Sequence, residues 1–366
     1  MKICYDYKIF STQKYGGISR YFVELASRIN RYPDAAVRVV SPLYQSRFLH
    51  AKKADIPVRG FHSEILAARR RTVGRINPIG FYIFSSIYKP DIVHETYYSR
   101  HRTSNSSAKT VITVHDTIEE LFPEYFPLSK KTIKIRKAVY QRVSHIICIS
   151  QNTRKDLIRL YNINPDKVSV VYHGSSLAPP AEPPTRTQDP FFLYVGERAG
   201  YKNFLGLVAA FAQSQLFKTH QLVCFGGGPL RANEYERIDK LGVPRDRIVS
   251  VTGDDAKLAS YYASAEAFVY PSIYEGFGIP LLEAMECGCP VLSGNTSSMP
   301  EVAGDAAMYF NAGDIHEMAA ALQKIVQSPE LRLSLISKGK QRVKQFSWDI
   351  CAQQTYSVYE RLLSKQ

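Results

Sequence analysis

Two carboxylates, Glu275 and Glu283, stand eight residues apart in the segment Tyr-Glu-Gly-Phe-Gly-Ile-Pro-Leu-Leu-Glu-Ala-Met-Glu-Cys-Gly-Cys-Pro at 274–290. Pro280 suits the first turn of a helix, where its missing N–H is not needed. Gly288 suits a helix stop, and Pro290 cannot continue one. The spacing predicts a loop and then a short helix over about 280–287. The N–H groups of Phe277, Gly278 and Ile279 would point out of the helix start, which makes an anion site. At ~1.5 Å per residue the two acids lie on the order of 12 Å apart. A glycosidase pair needs ~5–9.5 Å. The wider spacing suits two polar ends of one long ligand, with its phosphates at the helix start between them.

Other stretches could carry chemistry. Gly16 and Gly17, in Tyr15-Gly16-Gly17-Ile18-Ser19-Arg20, come after a predicted strand and open a predicted helix through about Ile29. They allow a close backbone approach to phosphate, or simply make a turn. Arg198 and Lys202 lie in Gly196-Glu197-Arg198-Ala199-Gly200-Tyr201-Lys202-Asn203, again after a strand. His115 and Asp116 end another strand; the histidine is either functional or a satisfied structural one, and Asp116 could cap the next segment. Gly226 opens the turn Gly226-Gly227-Gly228-Pro229. Thr252-Gly253-Asp254-Asp255 places two acids side by side after a strand, which could suggest a metal but reads first as a loop.

Parallel sheets must position these groups. Short β-type runs at 2–5, 37–41, 92–94, 110–114, 146–149 and 168–172 alternate with helical stretches in the first half. Runs at 191–195, 222–225, 248–251, 267–270 and 290–293 do so in the second. Such alternation predicts α/β architecture with two domains facing across a cleft. The proline-rich stretch 175–190 reads as a linker. We place the first domain at 1–176, the linker at 177–190 and the second domain at 191–348. The tail is a helical pattern in which Trp348, Cys351, Ala352, Thr355, Tyr359 and Leu362 share one face.

Residues 274–290 resemble the Glu-x7-Glu motif of the retaining glycosyltransferases of family 4, which have the GT-B fold of two Rossmann-like domains. The segments at 196–203 and 297–307, the latter Ser-Ser-Met-Pro-Glu-Val-Ala-Gly-Asp-Ala-Ala, are similar to further motifs of that family. The resemblance implies that residues 349–366 cross back onto the first domain. It implies that Glu275 and His115 act on the transferred sugar, and that Glu283 binds the ribose. Arg198 and Lys202 would neutralise the diphosphate, with Gly16, Gly17, Phe277, Gly278 and Ile279 also at the donor. Gly226, Thr252 and Gly253 would lie near the base. The reaction implied is retaining transfer from a nucleotide-sugar donor, GDP-mannose first and a UDP-sugar second, to a glycan or lipid-linked acceptor, with neither cofactor nor metal. The competing expectations are an epimerase or phosphorylase of the same fold, or a non-catalytic glycan-assembly subunit.

Composition narrows the partners. The 366 residues carry a net charge of +14. Residues 1–176 hold 29 Lys/Arg against 13 Asp/Glu, or +16, and the rest hold 18 against 20, or −2. The basic clusters at 67–75 and 129–142 lie beside apolar residues, which fits an anionic membrane surface or a lipid pyrophosphate, or a solvated face. No nucleic-acid motif accompanies the charge, so nucleic acid is not expected. Six scattered cysteines form no C-x-x-C pair, and neither a leader nor an apolar run of ~20 residues is visible. A cytoplasmic protein, peripheral on the inner membrane face, is the expectation.

Overall fold

The computed structural model describes residues 1–99, 107–126, 129–180, 189–198 and 200–364. Residues 181–188 of the predicted linker and 365–366 of the predicted terminal helix lie outside them. The chain divides into one unit of Met1–His173 with Trp348–Gln366, and a second of Gly174–Ser347.

The first unit is a parallel sheet of β1 (Lys2–Tyr5), β2 (Ala36–Tyr44), β3 (Val58–His62), β4 (Ile92–Glu95), β5 (Lys109–Val114), β6 (His145–Cys148) and β7 (Val168–Val170). Its order is β3-β2-β1-β4-β5-β6-β7. Side chains alternate between its faces, as strand geometry requires. Ile3, Tyr5, Val37 and Val39 meet Tyr21, Phe22, Leu25 and Ile29 of the helix Gly17–Ile29, together with Trp348, Cys351 and Tyr359 of the terminal helix Trp348–Ser364. Burying a side chain such as Phe22 or Tyr359 contributes on the order of 2 kcal/mol. Cys4 and Val93 turn the other way, against Phe81 of the helix Arg70–Tyr88. Ile112, Val114, Ile146 and Cys148 meet Val139 and Tyr140 of the helix Ser129–Arg142. The register pairs Glu95 with Ile112. Val93, two residues before Glu95, therefore shares the Ile112 face, and those two helices cover the same side of the sheet.

Two strands were not expected from the sequence. Edge strand β3, Val-Arg-Gly-Phe-His, has no apolar run, and β13 (Ala307–Phe310) begins at the last residue of the 297–307 motif. Strand β2 also runs past the predicted 41. Pro42 has no N–H, and the β2–β3 register shifts between Val40 and Leu43. The Asn77 side-chain amide then accepts from the Leu43 N–H (2.8 Å) and donates to the Leu43 carbonyl (2.9 Å), completing what the ladder leaves open.

The second unit is also parallel. It contains β8 (Phe191–Val195), β9 (Gln221–Phe225), β10 (Ile248–Val251), β11 (Ala267–Tyr270), β12 (Val291–Gly294) and β13, in the order β10-β9-β8-β11-β12-β13. The candidate residues of both units come just after strand ends. Arg198, Gly226, Thr252 and Glu275 leave β8, β9, β10 and β11, and His115 leaves β5. The carboxyl edge of a parallel sheet is where such folds bind ligands.

Candidate active site

In the second unit the structure brings Lys202 and Glu275 together. The Lys202 ammonium lies 2.6 Å from a Glu275 carboxylate oxygen, and over the rings of Tyr201 and Tyr270 at 5.3 and 5.7 Å. Glu275 is buried, and burial together with its carboxylate pushes the Tyr270 hydroxyl well above the ordinary phenol range. The loop that carries Glu275 is tied from β12. Its N–H donates to the Ser297 hydroxyl (2.9 Å), and the Ser298 hydroxyl donates to the Glu275 and Phe277 carbonyls (2.9 Å each). Gly278 then takes φ +102°, a conformation costly for other residues, and turns the chain into the helix Ile279–Glu286. The helix starts one residue before the predicted position. Glu283 is partly exposed on it and accepts from the Tyr262 hydroxyl at 3.3 Å.

Arg198 stands in a different setting from Lys202. Its side chain is fully buried and ion-paired with Glu234 at 2.8 Å. The same fork donates to the carbonyls of Gly226 (3.1 Å), Gly227 (3.2 Å), Gly228 (3.1 Å) and Pro229 (2.7 Å). Those three glycines take φ +88°, +68° and +71°, and a Cβ on Gly227 would lie 2.9 Å from the guanidinium. In this arrangement Arg198 organises the turn after β9. Direct contact with a diphosphate requires it to exchange these partners. Thr252 and Gly253 are exposed, the Lys257 ammonium donates to the Thr252 carbonyl (3.1 Å), and Asp254 caps the next helix through the Lys257 N–H (2.9 Å). Among the described residues no group of three or more His, Cys, Asp or Glu could hold a metal ion.

In the first unit the helix Gly17–Ile29 starts after Gly16. The Gln13 side chain accepts from the Ser19 N–H (3.2 Å), and a Cβ on Gly16 would collide with that amide at 2.4 Å. Gly17 faces open space. Tyr21, four residues on, packs its ring edge-on to His115 with the centres 5.2 Å apart, and the His173 ring centre lies 5.5 Å from that of His115. Nε2 of His115 is buried without a hydrogen-bond partner among the described residues. Asp116 accepts from the Ile118 N–H (3.1 Å), a local cap. Behind His115 a polar chain runs through the core: Tyr5 hydroxyl to Tyr359 hydroxyl (3.3 Å), Tyr359 to His94 Nδ1 (2.6 Å), His94 Nε2 to Thr113 Oγ1 (2.9 Å), and Thr113 to Tyr21 (3.1 Å).

Burial holds these imidazoles neutral. It drives His94 and His115 down to about 3, with His115 adding to the effect on His94 and Arg136 to that on His115; His173 also lies well below its ordinary value. Between pH 6.5 and about 3 the unfolded chain then binds protons that the folded chain does not. Stability is full above 6.5 and falls as pH drops, by up to about 1.4 kcal/mol per pH unit for each histidine. Asp6, buried and raised above the usual carboxylate range, opposes this at the acid end. Melting temperatures between pH 7 and 4 should fall steeply, and His94→Gln should flatten the curve. A flat wild-type profile would mean that the histidines are charged when folded.

Sequence reasoning missed Glu234, Tyr270 and His173, and it named Ser297 and Ser298 only as part of a motif, without their contacts to the Glu275 loop. Of the three that were missed, His173 carried a readable signal, since it comes after a strand as His115 does.

Two Rossmann-like parallel sheets, each with its candidate residues after strand ends, are the architecture of a GT-B glycosyltransferase. The chain belongs to glycosyltransferase family 4. The family described as Glycosyltransferase Family 4 matches residues 15–178, and that described as Glycosyl transferases group 1 matches 179–342. The chain is 31% identical over 293 residues to O-antigen chain mannosyltransferase B of Escherichia coli, covering 75% of each chain. It is 22% identical over 341 residues to O-antigen chain mannosyltransferase RfbU of Salmonella typhimurium, covering 91% of this chain and 92% of that one. Among solved structures, sucrose-phosphate synthase from Thermosynechococcus elongatus superposes with a TM-score of 0.74 at 20% identity, covering 100% and 99% of the two chains. Anabaena HepE in complex with UDP-glucose does so at 0.73 and 17%, covering both completely.

Proposed function

We propose that this glycosyltransferase moves mannose from GDP-mannose to a hydroxyl of a glycan or lipid-linked acceptor, with retained anomeric configuration and without a metal ion. The observation that carries the reading is the Lys202–Glu275 pair beside the glycine-led start of the helix Ile279–Glu286. The mannosyltransferase relatives support the sugar. A UDP-sugar is the second reading, supported by the HepE complex.

In the proposed reaction the bond from the sugar C1 to phosphate breaks as the bond from C1 to the acceptor oxygen forms on the same face. The acceptor proton passes to the departing phosphate oxygen. Lys202 and the helix-start N–H groups meet the charge that grows on the diphosphate. Glu275 orients the sugar and holds Lys202, while Glu283 anchors the ribose. Arg198 serves through the 226–229 turn. Gly16, Gly17 and His115 keep the donor roles that the family resemblance gives them, and Thr252 and Gly253 keep the base region. We place the enzyme on the cytoplasmic membrane face, which the +16 of residues 1–176 supports.

Donor and metal are tested together. Purified protein, glycan acceptor and excess EDTA should yield an α-linked product from GDP-mannose, with thermal stabilisation by GDP. Stabilisation by UDP alone would overturn the donor. Activity lost in EDTA and restored by magnesium would overturn metal independence. Donor consumption without acceptor would indicate an epimerase, and dependence on inorganic phosphate a phosphorylase.

A further inference from the structure

The helix Arg70–Tyr88 buries one row, Val73, Asn77, Phe81 and Ser85, against the first unit. Its outward row is not polar. Ile76, Ile79, Ile83 and Ile87 recur at three- and four-residue steps and are 44, 60, 54 and 78% exposed. At 100° per residue they fall within an arc of about 80°. Among the described residues, seven of the thirteen exposed large apolar side chains lie between Phe61 and Ile87. Scattered exposed apolar residues are ordinary; four isoleucines in one row on one helix form a contiguous apolar stripe that a partner could cover.

Charge selects what docks there. The helix has no acidic residue, and Arg71 and Arg75 flank the stripe, exposed. The helix Ser129–Arg142, which covers the same face of the sheet, also lacks acids. Two of its cations are spent inward. Arg136 pairs with Glu120 at 2.8 Å, and Arg142 forks onto buried Glu95 at 2.5 and 2.6 Å. Lys130, Lys131, Lys134 and Lys137 remain exposed at helical spacing. A second copy of the chain would set these like charges against each other. An anionic lipid surface would attract them and receive the isoleucines. No helix among the described residues is long and apolar enough to cross a membrane, so this one would lie on the surface.

We propose that the helix Arg70–Tyr88 is an interfacial anchor. Ile76, Ile79, Ile83 and Ile87 enter the headgroup–acyl boundary of an anionic bilayer, and the lysine row of Ser129–Arg142 rests on the headgroups beside them. The inference deepens the membrane location proposed above, replacing charge alone by charge with apolar insertion. It does not depend on the donor or the linkage.

Co-sedimentation with phosphatidylcholine vesicles, with and without phosphatidylglycerol, tests it. The full chain should bind the phosphatidylglycerol vesicles and retain part of that binding at 0.5 M salt. Ile79→Asp with Ile83→Asp should lower partitioning about tenfold or more at both salt levels. Lys130, Lys131, Lys134 and Lys137 all changed to Ser should lower it chiefly at low salt. Unchanged melting temperature and nucleotide affinity show that each variant is folded and its donor site intact. Wild-type levels of binding by the Ile79/Ile83 variant would overturn the anchor. So would a wild-type dimer in sedimentation velocity that the variant dissolves, since the stripe would then serve a second copy. Failure of GDP-mannose transfer with vesicle binding intact would strike only the functional reading.

Discussion

Lys202→Ala should lower turnover by about two to three orders of magnitude, the scale of losing one preorganised group that meets charge developing in a transition state. Two effects combine. The cation that meets the departing diphosphate is gone, and Glu275 is left buried without the ammonium 2.6 Å away. Glu275→Gln should cost turnover while free GDP still binds. Glu283→Ala should instead weaken GDP binding about tenfold, the value of one charge-assisted hydrogen bond. Because Lys202 and Glu275 touch, their losses should not add, and a double-mutant cycle on kcat should show strong coupling. Additive losses would mean that the pair does not act as a unit during transfer. Near-normal turnover by Lys202→Ala would remove it from the site.

Arg198→Met should destabilise the second unit by about 3–5 kcal/mol, the usual result of leaving one partner of a buried ion pair alone. Here Glu234 loses its cation, and four carbonyls of the 226–229 turn lose a donor together. For a unit of this size the melting temperature should fall by roughly 6–20 °C. Glu234→Gln should reproduce part of that shift. If Arg198 works through the turn, Glu234→Gln should also weaken GDP binding, because it loosens the same clamp. A drop in GDP affinity confined to Arg198→Met, with both variants melting like the wild type, would show instead that the guanidinium leaves the turn for the diphosphate.

The sequence exposed more of the scaffold than of the wiring. Parallel α/β architecture was legible because buried strands are short apolar runs between turn signals, as in Phe-Phe-Leu-Tyr-Val at β8. The helix Ile279–Glu286 was legible because Pro280 and Gly288 punctuate it. Strand β3 was not, since an exposed edge strand needs no apolar pattern. Partnership was the harder level. Arg198 and Lys202 are four residues apart and read alike. Yet one is enclosed by Glu234 and a ring of carbonyls, and the other faces Glu275 and tyrosine rings. Glu234 and Glu275 stand 36 and 73 residues along the chain from the cations they meet, so local spacing holds no record of them. The same holds for the helix Ser129–Arg142: its six basic residues form one cluster in sequence, and folding turns Arg136 and Arg142 inward onto Glu120 and Glu95.

The terminal helix Trp348–Ser364 belongs to the unit that begins at Met1. Trp348, Cys351 and Tyr359 complete the packing around Ile3 and Tyr5 of the sheet and Phe22 of the helix Gly17–Ile29, and the Tyr359 hydroxyl supplies the partner of His94. Residues 348–364 therefore leave the ribosome after the second unit has been made, although they pack into the first. While residues 174–347 are being synthesised, the helix Gly17–Ile29 already covers part of that core, and the apolar surface that Trp348, Cys351 and Tyr359 will bury is left to chaperone shelter or a provisional packing. Completing that core brings together Tyr5 and Tyr359, 354 residues apart in the chain. It makes the integrity of the helix Trp348–Ser364 a checkpoint on the first unit.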